Sequence, residues 1–274
     1  MKFGIALAGG GARGAYQVGA WQALLETNTF DLFSVYSGAS VGSINASLFA
    51  MGNFDLAKET WLSLEKDSLF HVESNLFKRL VHEKMNFFNK GIYDTTKLES
   101  MMEDTIDYDL LRQKDVYVAT TYLGDNRDKF YDLIKTNYDH YLKNNENLIH
   151  YRNLKELNDN EIKLTILASC AIPIAFKPVT IDGKTFYDGG MLDNVPIAPL
   201  KEAGCDRILV IDLFRMNYKK YLEMPDPNIR YLNPKHDLYG ILDFEPALIR
   251  RRFELGYNDM MRFIEENSDF FEEK

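Results

Sequence analysis

Cysteine, histidine and proline are scarce in this chain of 274 residues, and it has no long apolar run. Its two cysteines, Cys170 and Cys205, form neither a disulfide framework nor a CxxC pair. A disulfide-stapled secreted fold and a cysteine-based zinc site are therefore not predicted. The five histidines (His71, His82, His140, His150 and His236) include no i, i+4 pair around a carboxylate, so a zinc hydrolase of the H-E-x-x-H kind is not supported. No segment approaches the roughly 18 apolar residues of a membrane span. The apolar run at residues 3–8 is too short for a signal peptide and ends in glycines, so the default location is the cytoplasm. Positive charge is in deficit, 32 Lys+Arg against 41 Asp+Glu for a net charge of −9. This argues against nucleic acid or anionic lipid held by long-range attraction.

What is present is apolar surface: 46% hydrophobic and 13% aromatic residues, enough for an ordered core. With no repeat, low-complexity linker or composition break, one domain over 1–274 is expected. Residues 3–8 read as a buried strand, Gly9 to Gly14 as a turn and residues 15–25 as a helix. Residues 30–36 read as a second strand, Ser37 to Ser43 as a small-residue turn, and a helix follows. Strand–turn–helix twice in fifty residues predicts an α/β fold with a mainly parallel sheet. Further on, residues 56–111 read as amphipathic helix, and 115–123 and 128–135 as strands. Residues 207–213 read as a late strand, 224–246, with four prolines, as loop, and about 246–266 as a C-terminal helical region.

Two glycine-rich turns carry the chemistry. Gly9-Gly10-Gly11-Ala12-Arg13-Gly14 contains G-x-G-x-x-G between strand and helix. It reads as a dinucleotide fingerprint, as an oxyanion hole of exposed N–H groups at a helix start, or as a tight turn with no ligand. The dinucleotide reading wants an acidic residue closing the second strand, and Phe33-Ser34-Val35-Tyr36-Ser37 has none. Gly38-Ala39-Ser40-Val41-Gly42 is G-x-S-x-G at a strand-to-helix turn, where Ser40 would stand exposed as a nucleophile. A serine hydroxyl needs a base. His236 is the one histidine in the α/β-hydrolase chain order, in the polar run Asn233-Pro234-Lys235-His236-Asp237, where a solvated loop residue is the plainer reading. The other candidate is Asp188 of Asp188-Gly189-Gly190, which taken alone is simply a turn.

Together, in this order, the glycine loop, the serine turn and Asp188-Gly189-Gly190 resemble the patatin-like phospholipase family of lipid acyl hydrolases. Ala168-Ser169-Cys170-Ala171-Ile172-Pro173, with Phe176 and Pro178, is similar to the family's A-S-x-A-x-P block, and Gly256-Tyr257 to its C-terminal end. The resemblance covers most of residues 1–200, with the motifs inside 4–200. It implies a three-layer α/β/α sandwich and a Ser–Asp dyad, Ser40 as nucleophile and Asp188 as base. Gly10, Gly11 and Ala12 would supply the oxyanion hole. Gly9, Arg13, Gly14, Gly38, Gly42, Gly189 and Gly190 support the motifs, with Arg13 bracing the loop or meeting a phosphate. Asn194 and Pro196 look structural. The implied substrate is a phospholipid or lysophospholipid, with no cofactor and no metal. Since an aspartate ordinarily titrates near 3.9, a site that desolvates Asp188 and raises its pKa is expected.

The segment 70–91 is aromatic and locally basic, with Lys78, Arg79, Lys84 and Lys90 against Glu73 and Glu83. It reads as an ordinary packed helix or as a transient contact with a membrane surface. An esterase, thioesterase or acyltransferase on the same dyad stays open. So do a nucleotide-binding protein and a non-catalytic interaction module.

Overall fold

Strand β1 (Phe3–Leu7) is buried along its whole length, the pattern of a strand covered on both faces. It pairs in parallel with β2 (Phe33–Ala39) on one side and with β7 (Arg207–Ile211) on the other. The structure, a computed structural model, describes residues 1–64, 95–122, 148–173, 175–215 and 226–272. Among these, eight strands form one sheet in the order β5-β6-β3-β2-β1-β7-β8, with β4 paired to β3. The strands β3 (Asp115–Tyr122), β2, β1, β7 and β8 (Ile229–Leu232) run parallel. Antiparallel pairs join β4 (Ile149–Asn153) and β6 (Lys184–Asp188) to β3, and β5 (Val179–Ile181) to β6. Helices flank the sheet in the α/β/α arrangement the motifs imply.

Helix α1 (Ala15–Glu26) follows the glycine loop and α2 (Val41–Met51) follows the serine turn. Both carry apolar side chains nearly all round, as helices enclosed by other layers do. Helix α2 packs on β1, β2 and β3. Next come α3 (Phe54–Leu62), α4 (Thr96–Thr105) and α5 (Tyr108–Leu111). Helix α6 (Asp159–Ser169) opens on a capping box, Asn158 with Glu161, and packs against β3. The short α7 (Ala198–Glu202) precedes β7, and α8 (Pro246–Glu266) and α9 (Ser268–Phe271) close the chain. Helix α8 lies directly on α1. A Cβ on Gly19 would fall 1.9 Å from the Phe253 carbonyl oxygen, and one on Gly256 1.9 Å from that of Tyr16. Two glycines on facing helices thus let the backbones touch.

The predicted elements need three adjustments. The second strand begins at Phe33, after a 3₁₀ turn over Phe30–Leu32, and runs on to Ala39. Among the described residues the helical stretch read at 56–111 is divided into α3, which already begins at Phe54, α4 and α5. The proline-rich stretch 224–246 is not all loop, because it contains the parallel strand β8. The strand read at 128–135 and the basic segment 70–91 lie outside the described residues, as do His71, His82 and His140.

Candidate active site

Ser40 sits between the last residue of β2 and the first of α2, with φ 51° and ψ −132°. A non-glycine residue at positive φ is unfavourable by about 1–3 kcal/mol and persists only where its surroundings enforce it. Here they do. The Ser40 N–H donates to Oγ of Ser169 at 2.9 Å, and that hydroxyl donates to the Ala119 carbonyl at 2.7 Å. On the other side of the turn, the Ser43 hydroxyl donates to the Ser40 carbonyl at 2.6 Å. The motif glycines let the two turns meet. A Cβ on Gly9 would lie 2.8 Å from Cβ of Ser40, and one on Gly42 2.2 Å from the Leu7 carbonyl oxygen.

Asp188 ends β6 and is 5% exposed. Its Oδ1 accepts the Gly190 N–H at 2.7 Å, while Oδ2 has no hydrogen-bond partner among the described residues. Burial pushes its pKa up to about 7, against the smaller opposing pull of the Ser40 hydroxyl and the Gly190 N–H. The hydroxyl thus faces the carboxylate without closing a hydrogen bond of normal geometry onto it. The Cys170 thiol is buried beside the same carboxylate, and its pKa is raised, first by burial and then by Asp188.

The glycine loop runs from the end of β1 into a 3₁₀ turn over Gly11–Gly14. Among the described residues the N–H groups of Gly10 and Gly11 meet no protein acceptor. Ala12, the third residue named for the oxyanion hole, differs: its N–H donates to the Ile241 carbonyl at 2.8 Å. Arg13 braces the loop. Its guanidinium donates to the carbonyls of Tyr239 (2.7 Å) and Leu213 (3.2 Å) and lies over the Phe214 ring. Asn194 ties the loop to the Asp188 turn, donating through Nδ2 to the Gly9 carbonyl at 3.2 Å and accepting the Gly9 N–H at its own carbonyl.

Under the loop lies a buried polar chain that no local pattern announced. Trp61 Nε1 donates to Asn45 Oδ1 at 2.8 Å, and Asn45 Nδ2 donates to Gln17 Oε1 at 2.8 Å and to the Gly14 carbonyl at 3.1 Å. Gln17 Nε2 in turn donates to the carbonyls of Ala8 and Ile211. Each buried polar group is thereby satisfied by another that shapes the turn.

Ser40 and Gly11 border a narrow apolar cavity of about 70 Å³, walled by residues including Ile44, Leu48, Trp61 and Met101. His236 is exposed and is not among the groups that shift Asp188.

Fold and site together define an α/β protein with a serine elbow beside a glycine loop, a buried carboxylate and an apolar cavity. The chain belongs to the patatin-like phospholipase family, whose profile matches residues 5–201. It is 27% identical over 218 residues to the lysophospholipase NTE1 of Cryptococcus neoformans, covering 78% of this chain and 11% of that protein. It is 24% identical over 215 residues to an uncharacterized NTE family protein of Mycobacterium tuberculosis, covering 77% of this chain and 49% of the relative. The chain therefore spans about a tenth of the fungal protein's length and about half of the mycobacterial one's. The crystal structure of VipD from Legionella pneumophila shares the fold, with a TM-score of 0.54 at 16% identity over 97% of this chain and 67% of that one. Among the described residues no helix is long and apolar enough to cross a membrane.

Proposed function

We propose that this protein is a serine lipid acyl hydrolase, cleaving acyl ester bonds of phospholipids or lysophospholipids with Ser40 as nucleophile and Asp188 as its base. The observation that carries the reading is that Ser40 faces a buried carboxylate on one side and borders an apolar cavity on the other. The cavity suits a fatty acyl chain, and family membership together with the lysophospholipase name of a relative supports a lipid ester.

In the acylation step Asp188 takes the hydroxyl proton as Ser40 Oγ attacks the ester carbonyl carbon. The carbonyl electron pair moves onto oxygen, where the Gly10 and Gly11 N–H groups receive it. Collapse of this intermediate breaks the bond to the alcohol, which leaves with the proton from Asp188. Water then gives its proton to Asp188 and attacks the acyl-enzyme, and Ser40 recovers its proton as the fatty acid departs. A carboxylate with the ordinary pKa of an aspartate is a weak base for this work, and a pKa of about 7 matches it to neutral pH.

A fluorophosphonate probe tests the reading, with Ser40→Ala and Asp188→Asn beside the wild type and each checked for folding. Labelling at Ser40, with both folded variants inert on p-nitrophenyl esters, is the expected result. Turnover that survives Ser40→Ala would overturn it.

A further inference from the structure

Arg252 is a buried cation that the family-matched segment does not contain. It lies on α8, is 1% exposed, and has no carboxylate within ion-pair distance among the described residues. Its guanidinium is satisfied by backbone. Nε donates to the Leu238 carbonyl at 2.7 Å, Nη2 to that of Gly240 at 3.0 Å, and Nη1 to those of Asp243 at 2.6 Å and Ala12 at 3.2 Å. Three of these acceptors belong to one loop, 238–243, and the fourth belongs to the glycine loop. The same 238–243 loop reaches the glycine loop twice more, through Ile241 onto the Ala12 N–H and through Tyr239 onto Arg13. Tyr239 takes a positive φ of 60° in that loop.

Both backbone groups of Ala12 are therefore taken, the C=O by Arg252 and the N–H by a loop that Arg252 itself grips. Gly11, at φ +54°, lies so close beneath this loop that a Cβ there would be 2.2 Å from the Ile241 carbonyl oxygen. The peptides flanking Ala12 cannot rotate while the loop is seated. The next peptide back, which carries the Gly11 N–H, is tied to the same turn by the Arg13 N–H on the Gly10 carbonyl, and the one before it, which carries the Gly10 N–H, by Asn194 Nδ2 on the Gly9 carbonyl, so both N–H groups are held and unengaged among the described residues.

We propose that Arg252 is a positioning residue for acyl transfer: it locks the 238–243 loop onto the glycine loop and so holds the Gly10 and Gly11 amides in place as oxyanion donors. The inference rests on the acyl-hydrolase reading above. A guanidinium suits the task because its N–H donors diverge in a fixed plane, which a lysine ammonium cannot reproduce.

The test uses the full chain in Arg252→Lys and Arg252→Met forms, with a third variant carrying one glycine inserted between Gly240 and Ile241. The insertion slips the loop while leaving Arg252 and the core intact. Hydrolysis of p-nitrophenyl esters is measured per active site, the sites being counted by end-point fluorophosphonate labelling. A merely structural role would lower the number of sites without changing the rate of each. The expected result is a per-site kcat lower by about tenfold to hundredfold with KM within about twofold, and slower labelling by a similar factor. Any folded variant that keeps the wild-type per-site kcat overturns the proposal, as does a loss carried by KM. If neither Arg252 variant folds, the insertion variant decides. Turnover that persists in Ser40→Ala would instead sink the acyl-hydrolase reading itself.

Discussion

Asp188→Asn is expected to make the protein more stable as well as inactive, by an amount that grows with pH. In the folded chain the Asp188 pKa is raised from 3.8 to about 7, chiefly by burial. Between those values the unfolded chain has released its proton and the folded chain has not, so unfolding becomes easier as pH rises. The slope is about 1.4 kcal/mol per pH unit from roughly pH 4 to pH 7, with none beyond either limit. Over some three units the buried carboxylate thus costs the wild type about 4 kcal/mol at pH 8 relative to pH 4. Asparagine keeps an oxygen to accept the Gly190 N–H and carries no charge to desolvate. Urea unfolding of both forms at steps between pH 4 and pH 8 isolates this contribution, because other titrating groups cancel in the difference. The stability gap should be flat near pH 4, widen through pH 5 and 6, and level off above pH 7. A gap that does not change with pH, or an asparagine form that loses ground as pH rises, would refute the claim that the site destabilises its own carboxylate.

The same titration governs activity: kcat/KM on a neutral ester should rise with pH through a single limb near 7 and be lost in Asp188→Asn, and a limb near 4 would count against Asp188 as base. Ser169→Ala removes the hydroxyl linking the Ser40 N–H to the Ala119 carbonyl. It should lower stability by about 2–3 kcal/mol by leaving buried groups unpaired, and lower kcat by about tenfold as the elbow relaxes; unchanged kcat in a folded variant would show that the elbow holds itself. Met101→Trp adds bulk to the cavity wall from a half-buried position on α4. Long-chain esters should lose kcat/KM while acetate and butyrate esters keep it, and an equal loss on all chain lengths would remove the cavity from the acyl path.

Motifs that one stretch of backbone sets were legible in the sequence. The glycine loop, the serine elbow and the Asp188 turn are written in small residues because each turn brings backbone against backbone, as where Gly42 meets Leu7. The long amphipathic α8 was legible too, from Pro246 at its start to its apolar stripe. Strand β8 was hidden because its four residues lie among prolines, and β4 because its His150, Tyr151 and Arg152 are half-buried and show no apolar alternation. Ser169 was seen as part of a motif but not as the acceptor of the Ser40 N–H, a contact spanning 129 positions. Arg252 meets Ala12 across 240 positions, and an arginine on an amphipathic helix reads as surface unless the fold shows it enclosed. Motif residues leave local signatures, whereas residues that hold those in place are defined by the chain's return.

The antiparallel strand explains how such a return puts Asp188 beside Ser40. Ala39 of β2 is in register with Ala119 of β3, so Ser40, one residue on, falls level with Thr120. Thr120 is in register with Asp188 of β6 along the same edge of β3, because β4, with His150 opposite Thr120 and Tyr151 opposite Ala119, takes the other edge. β6 therefore takes over from β2 along one edge of β3, and Asp188 stands against the serine turn at the point where β2 ends. A parallel strand in the place of β6 would bring its chain in from the opposite end of the sheet and need a crossover to do so. Running β6 the other way lets it stop at the level of Ser40 and turn at once through Gly189 and Gly190, with a Cβ on Gly189 falling 2.1 Å from the Ala119 carbonyl oxygen. The glycine loop leaves the carboxyl end of β1, where the chain's neighbours divide between β2 and β7, the place where open α/β sheets leave room for a ligand. The parallel half of the sheet thus carries Ser40 and the glycine loop, and the antiparallel half carries Asp188. The mixed topology is the reason that three motifs scattered over nearly two hundred residues converge on one serine.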